Sequence, residues 1–458
     1  MITKTLAKKV LNKALATGGD YAELFCESTI RNVAVKREDA VINEASSSLV
    51  TGIGLRILKD LQAVYGYTND VSPMGLMRLA SDLSACYEGK RCKRVEGFEI
   101  KEHQGFNYQK TKVSNAYRSR LMTKVYKACK GRNKLISKVE ISLVDTDQRV
   151  LIINSDGLWT NDRRFRVRLG ILAVASKDGQ MEMAFEGPGA NQGYEFFETI
   201  DLKEIAKSVA KSAITTLKAR ECPSRKMDVV LENGFGGVVF HEACGHSLEA
   251  TSVAKGLSVF CGKKGQKIAS DIVTAIDDGT IEYGWGSASI DDEGNPTQKT
   301  TLIKNGVLNS YLVDSQNGRR MKEKANGCCR RESYKLAPTS RMSNTYIAQG
   351  TSTVEEMIKA TKYGLYAKKM GGGSVNPITG EFNFSVSEGY LIKNGKLSRP
   401  VKGASLVGKG NEILFNIDMI GSNLKRAQGM CGSVSGSIPV DVGQPCLRVR
   451  NITVGGRG

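Results

Sequence analysis

The sequence predicts an α+β protein, and three observations carry that prediction. Helical stretches and β-prone runs are segregated instead of alternating as β-α-β units. The stretch from Val139 to Phe185 reads as a meander of strands separated by turn residues. Asn305-Gly306 and Asn394-Gly395 each sit between β-prone runs, a strong short-range signal for a tight hairpin.

Residues 4–17 have the spacing of an amphipathic helix that ends at Gly18-Gly19. Strands follow over 21–29 and 33–37, then over 48–57 and 61–67 with a turn near Lys59-Asp60. Ser72-Pro73 opens a helix running to about Ala85, with proline at the first helical position. At 112–130, Val113, Tyr117, Leu121 and Val125 recur every fourth residue. Lys112, Arg118, Arg120, Lys124 and Lys127 take much of the remaining surface, which makes a basic amphipathic helix. Turn signals break the meander at 145–147, 154–157 and 177–179. A helix at about 201–218 leads to Cys222-Pro223-Ser224. The boundary expected there divides an N-terminal α+β domain, 1–221, from a β-rich C-terminal domain, 222–458. In the second domain a strand at 227–231 passes through Asn233-Gly234 into a helix, and 446–454 forms the last strand.

A length of 458 residues suits two or three domains, and 40% hydrophobic with 25% charged residues is ordinary soluble composition. No apolar run approaches the length of a membrane span. The N-terminus has no unbroken apolar segment followed by a small-residue cleavage site, so it does not read as a signal peptide. Eleven cysteines without a C-x-x-C pair fit a reducing cytoplasm with mostly buried thiols. The 66 Lys and Arg against 47 Asp and Glu give a net charge of +19, and +9 of it falls between Lys101 and Glu140. A basic face of this kind suits acidic peptides, an acidic partner or nucleic acid. No RNA-binding signature, aromatic-rich basic groove or zinc-finger spacing accompanies it.

Two of the three histidines lie five residues apart, in His241-Glu242-Ala243-Cys244-Gly245-His246. A His-Glu pair with a second His is the pattern that binds zinc and places a carboxylate beside the metal. In the familiar H-E-x-x-H helix the imidazoles lie about 40° apart around the axis, whereas this spacing separates them by about 140°. A π-like turn, with a repeat near five residues, brings them together, and Gly245 makes that distortion cheap. The competing reading is two partly buried core histidines. Asp291-Asp292-Glu293 reads as a turn with a cap in preference to a cation site.

Beyond this motif the chain resembles the TldD/PmbA family of peptidases, in the metal-bearing TldD branch. The resemblance runs through Gly52-Ile53-Gly54-Leu55-Arg56, Asn154-Ser155-Asp156-Gly157, the His motif and Asp291-Asp292-Glu293-Gly294. It continues through Arg330-Arg331-Glu332-Ser333-Tyr334, Arg341-Met342-Ser343-Asn344-Thr345, Gly429-Met430-Cys431-Gly432 and Gly443-Gln444-Pro445, in order over essentially the whole chain. It implies a cytoplasmic zinc metallopeptidase acting on unfolded peptides or trimming leader or modified peptides. It also implies assembly with a motif-lacking TldE/PmbA-like homologue into a dimer that encloses the active site, a homodimer being the other arrangement. In that scheme residues 1–221 supply substrate enclosure and dimer contacts, and 222–458 carry the metallopeptidase centre.

By resemblance, His241, His246 and Cys431 are the metal ligands. Composition alone does not choose Cys431 over Cys446 or Cys261, although its flanking glycines suit a tight loop approaching a metal. Glu242 is the expected general base, and Arg330, Arg331 and Tyr334 are candidates for stabilising an oxyanion. Where the family continues after this cysteine with Lys-x-Gly-Gln, the chain reads Ser433-Val434-Ser435-Gly436-Ser437. A basic neighbour is thus missing, which bears on partner contacts or substrate preference and not on the metal itself. Two other classes remain at this stage: a non-catalytic zinc-containing regulatory or assembly protein, and a nucleic-acid-associated factor using the basic surface.

Overall fold

Among the described residues, two eight-stranded sheets and one six-stranded sheet organise the fold, with a two-stranded pair as well. The computed structural model describes residues 2–37, 41–131, 133–376 and 378–456. The class is α+β, with mainly antiparallel sheets. No helix among the described residues is long and apolar enough to cross a membrane.

The first sheet is built from the N-terminal half, in the order Gln62–Thr68, Val41–Lys59, Tyr21–Arg37, Ile136–Asn154 and Leu158–Lys177, with Glu99–Ile100 at the far side. Alternation sorts its side chains between two faces. Leu24, Leu55, Leu151 and Ile153 pack under the helices Lys4–Ala14 and Pro73–Ser84, while Phe165, Val167 and Leu169 pack under Asn115–Lys130 and Leu202–Leu217. The opposite face carries Phe25, Val150 and Ile152, which pack on Ile290 and Tyr334 of the C-terminal half.

The same face holds a group of buried charges. Arg56 reaches Glu23 at 2.7 Å and Glu293 at 2.6 Å, and Arg331 reaches the other Glu23 oxygen at 2.8 Å. Arg164 bridges Asp162 at 3.1 Å and Asp292 at 2.7 Å. Glu23 and Asp162 of the first sheet are therefore each neutralised by an arginine, and Arg56 and Arg164 also hold acids of the 291–293 turn. Asp291 closes that turn by accepting N–H groups from Glu293, Asn295 and Cys329. The turn reading of this acidic run is what the structure contains.

Several predicted elements are longer or differently bounded. The strands expected at 21–29 and 33–37 are one strand, Tyr21–Arg37, because Ile30 stays paired on both sides, with Leu49 and Asp147. The turn expected at 145–147 is the middle of the strand Ile136–Asn154. Asp145 survives there because Asn32, Arg118 and Tyr194 all donate to its carboxylate. The basic helix begins at Asn115 and buries Met122, Val125, Tyr126 and Cys129. Arg118 is thereby drawn off the basic surface, whereas Arg120, Lys124 and Lys127 stay exposed. Ser72 opens its helix as the sequence implied, and Asp201, inside the helix expected at about 201–218, is the residue that caps it.

In the second half, the strands Tyr363–Val375, Arg225–Leu231 and Leu447–Gly455 are neighbours in the second sheet. The six-stranded sheet runs from Val307–Leu308 through Lys299–Lys304, Ala275–Asp278, Asn344–Ile347 and Gly436–Gln444 to the edge strand Lys425–Ser433. Parallel pairings occur too, as between Asn344–Ile347 and Gly436–Gln444. Both predicted hairpins are present: Asn305 and Gly306 have φ of 49° and 80°, and Asn394 and Gly395 have 51° and 72°. Two successive positive φ values match the right-handed twist of the flanking strands.

Glu293→Ala removes one of the two carboxylates facing the buried Arg56. Leaving a buried charge partly uncompensated costs about 3–5 kcal/mol. The unfolding midpoint in urea should fall accordingly, and added salt should restore little of it because the pair is shielded from solvent.

Candidate metal centre

The strand Arg225–Leu231 leads through Gly234, at a φ of 68°, into a short helical segment. Val238–Phe240 is α-helical, His241–Gly245 makes a π turn and His246–Leu248 is a 3-10 turn. The N–H of His246 bonds the carbonyl of His241, the five-residue closure that the spacing required. Val238, Val239, Phe240, Ala243, Cys244 and Leu248 are all buried in the C-terminal core and anchor this segment. A Cβ at Gly245 would overlap Met342 Sδ, so any larger residue there requires the Met342 side chain to move.

Cys431 arrives from the opposite direction. It lies on the strand Lys425–Ser433, opposite Ile438 of Gly436–Gln444, and not in a loop as its flanking glycines suggested. The register continues to the Ser433–Gly436 pair, so the cysteine sits two residues from the end of a regular hairpin. A strand positions the thiol more rigidly than a glycine loop would.

The two supports bring His241, His246 and Cys431 together. Cys431 Sγ lies 3.3 Å from His241 Nε2 and 3.3 Å from His246 Nε2. One donor atom from each residue falls within 4.8 Å of the others. The imidazole rings are 5.2 Å apart between centroids and nearly perpendicular, at 84°. Burial opposes ionisation of the Cys431 thiol, but the two imidazoles overcome it and hold the thiol down to about 3. Burial likewise opposes the charge on His246, and Glu249 with Cys431 outweighs it, raising that imidazole well above its ordinary value. Two nitrogens and a thiolate within 4.8 Å of one another form the kind of three-residue donor set found in catalytic zinc centres.

Glu242 stands at the rim of this group. Its Oε2 is 3.7 Å from His246 Nε2, and its side chain keeps 22% exposure where His241 has almost none. Glu249, which sequence reasoning passed over, is buried, and its Oε2 faces His246 Nδ1 at 3.1 Å. Its signal was available as an acid three residues after a candidate ligand.

The proposed oxyanion residues are engaged elsewhere. Arg330 donates to the carbonyls of Met342 and Pro439, at 2.7 and 2.8 Å. Arg331 is held by Glu23 and the Asp292 carbonyl. Tyr334 is packed against Phe25, and its carbonyl accepts from Tyr65. Among the described residues none of the three bonds to His241, Glu242, His246 or Cys431. Cys446 sits by Glu232, with Sγ to Oε1 at 2.8 Å, and Cys261 by the Val253 carbonyl, so neither joins the cluster.

Comparison with known proteins covers the chain from end to end. Family models match in order: PmbA/TldA metallopeptidase domain 1 at 22–86, the central domain at 109–217 and the C-terminal domain at 224–456. The chain is 35% identical over 450 residues to the metalloprotease TldD homolog of Buchnera aphidicola subsp. Acyrthosiphon pisum, covering 95% of this chain and 93% of the relative. It is 36% identical over 450 residues to the metalloprotease TldD homolog of Haemophilus influenzae, with the same coverage. Among solved structures, TldE from Thermococcus kodakarensis shares the fold with a TM-score of 0.74 at 16% identity, over 98% of this chain and 100% of that one.

Gly245→Ala should force Met342 and the π turn apart. Overpacking of this kind costs about 1–3 kcal/mol. The variant should unfold at lower urea and take up less than one equivalent of divalent metal, measured after dialysis by elemental analysis.

Proposed function

Because this chain belongs to the PmbA/TldA metallopeptidase family, we propose that it is a zinc-dependent peptidase of the cytoplasm. Its substrates are unfolded peptides, or leader and modified peptides that it trims. The convergence of His241, His246 and Cys431 on one point is the observation that carries this reading. These three residues hold the metal, and Glu242 is the general base. A bound zinc ion supplies Lewis acidity to the attacking water and to the scissile carbonyl.

Glu242 takes the proton of that water and returns it to the leaving amine. Its place at the rim, beside His246 yet partly exposed, supports both transfers: one toward the buried donors and one toward the substrate side. Neither donor nitrogen nor thiolate is free to act as the base, since each is committed to the metal.

An extended peptide is read through its backbone by adding a strand, which lets unrelated sequences bind and excludes folded ones. The position of Cys431 on the edge strand of the six-stranded sheet supports this arrangement. The working assembly is a dimer with a motif-lacking homologue, or with a second copy, in which residues 1–221 enclose the substrate and 222–458 carry out the reaction. The fold shared with TldE supports a homologous partner. So do Met181, Met183 and Phe185, which stand 70%, 65% and 54% exposed along one side of the strand Gln180–Glu186.

Glu242→Gln should retain zinc and lose turnover of an unstructured peptide by about 10²–10⁴-fold, because it removes the base and no ligand. The assay compares both proteins with and without the candidate partner, with zinc measured in parallel. Equal turnover by the two proteins would overturn the assignment of Glu242, and a wild-type chain that holds no zinc would overturn the peptidase mechanism itself.

A further inference from the structure

We infer that Glu249 and Arg341 are positioning residues of the metal centre, a buried carboxylate–guanidinium link that orients His246 and ties it to the hairpin bearing Cys431. This rests on the zinc reading above and adds to it the means by which the ligands are held before the ion arrives.

The link runs through hydrogen bonds on either side of one longer ion-pair contact, between Glu249 and Arg341. Glu249 Oε2 lies 3.1 Å from His246 Nδ1, so that nitrogen carries its proton and Nε2 is left facing Cys431 Sγ. The other carboxylate oxygen lies 3.9 Å from Arg341 Nε and accepts the N–H of Met342 at 3.3 Å. Arg341 then forks onto the hairpin. Its Nη2 donates to the Cys431 carbonyl at 2.5 Å, and its Nη1 to the Gly436 carbonyl at 2.9 Å and the Ser435 hydroxyl at 2.8 Å. The path from the His246 ring through Glu249 and Arg341 ends on the backbone of Cys431 itself, whose thiol returns to His246 Nε2 at 3.3 Å.

Each member of this ring depends on the next. Arg341 is fully buried, and its Nε has no hydrogen-bond partner among the described residues, so Glu249 supplies its balancing charge. An imidazole whose second nitrogen meets a carboxylate has a fixed tautomer and ring orientation, and is a better metal ligand for it. A planar guanidinium with donors in a rigid fork can grip both sides of a hairpin turn, which a lysine cannot. Ser435, in the turn after Cys431, provides one of the three acceptors for Arg341.

The test measures metal binding without substrate. Zinc dissociation constants come from chelator competition, and cobalt replaces zinc for absorption spectra, on wild type, Glu249→Gln and Arg341→Lys. Glu388→Gln serves as a control: it is a buried acid held by Ser212, Lys368 and Tyr390, with no contact to the centre. Zinc affinity should fall by about 10- to 100-fold in the first two variants. Their thiolate-to-cobalt absorption band should shift while circular dichroism stays that of wild type. The control should unfold more easily and bind zinc as wild type does. Should Glu249→Gln fail to fold, Glu249→Asp carries the test, since it keeps the charge near Arg341 and withdraws it from Nδ1. Wild-type zinc affinity and cobalt spectra in these variants would overturn the inference. An equal loss of affinity in Glu388→Gln would overturn it as well, since loosening of the fold would then account for both. A wild-type chain that binds no zinc would instead overturn the reading on which the inference rests.

Discussion

The five-residue separation of His241 and His246 is the constraint on which the centre depends. On a regular α-helix the two imidazoles would diverge by about 140°. The π closure from His246 to His241 turns both rings toward one thiol, and it holds because apolar residues on its other side are locked into the C-terminal core. Gly245 lets Met342 approach closely enough to fill the space beside the widened turn. The thiol then has to come from elsewhere in the fold. A hairpin with a fixed register delivers Cys431 within 3.3 Å of each imidazole, from 190 and 185 residues away in the chain.

Charge is used in two different ways in this protein. Between the N-terminal sheet and the 291–293 turn, arginines and acids neutralise each other at 2.6–3.1 Å and are sealed from solvent. Such pairs add little net stability against an apolar interface, but they penalise any misplacement of one half on the other, since each ion would be left buried alone. The excess of positive charge is instead a surface property. Arg120, Lys124 and Lys127 on the helix Asn115–Lys130 are exposed and face water. A surface of this kind attracts acidic segments over a distance set by salt, which suits peptide capture without specifying sequence.

Much of this was legible in the sequence where local chemistry decides the outcome. Asn-Gly turns, the Ser72-Pro73 helix start and the need for a widened turn at the His motif all follow from backbone geometry acting within a few residues. Legibility failed where distant partners override local preference. Asp145 reads as a turn residue until Asn32, Arg118 and Tyr194 are seen to converge on it. Cys431 reads as a loop cysteine because glycines flank it, yet pairing with Ile438 makes that stretch a strand. Arg330, Arg331 and Tyr334 are a polar cluster in sequence, but their contacts are with the N-terminal sheet and the hairpin frame. Arg341 carries no sequence signal for its role, since its partners lie about ninety residues ahead and behind.

X-ray absorption at the zinc edge of the metal-loaded protein tests the central claim most directly. The account predicts one sulfur at about 2.3 Å and two imidazole nitrogens at about 2.0–2.1 Å, with a light-atom fourth ligand. Substituting Cys431 by serine should remove the sulfur shell. A wild-type spectrum without sulfur, or one in which sulfur persists after that substitution, would contradict the account.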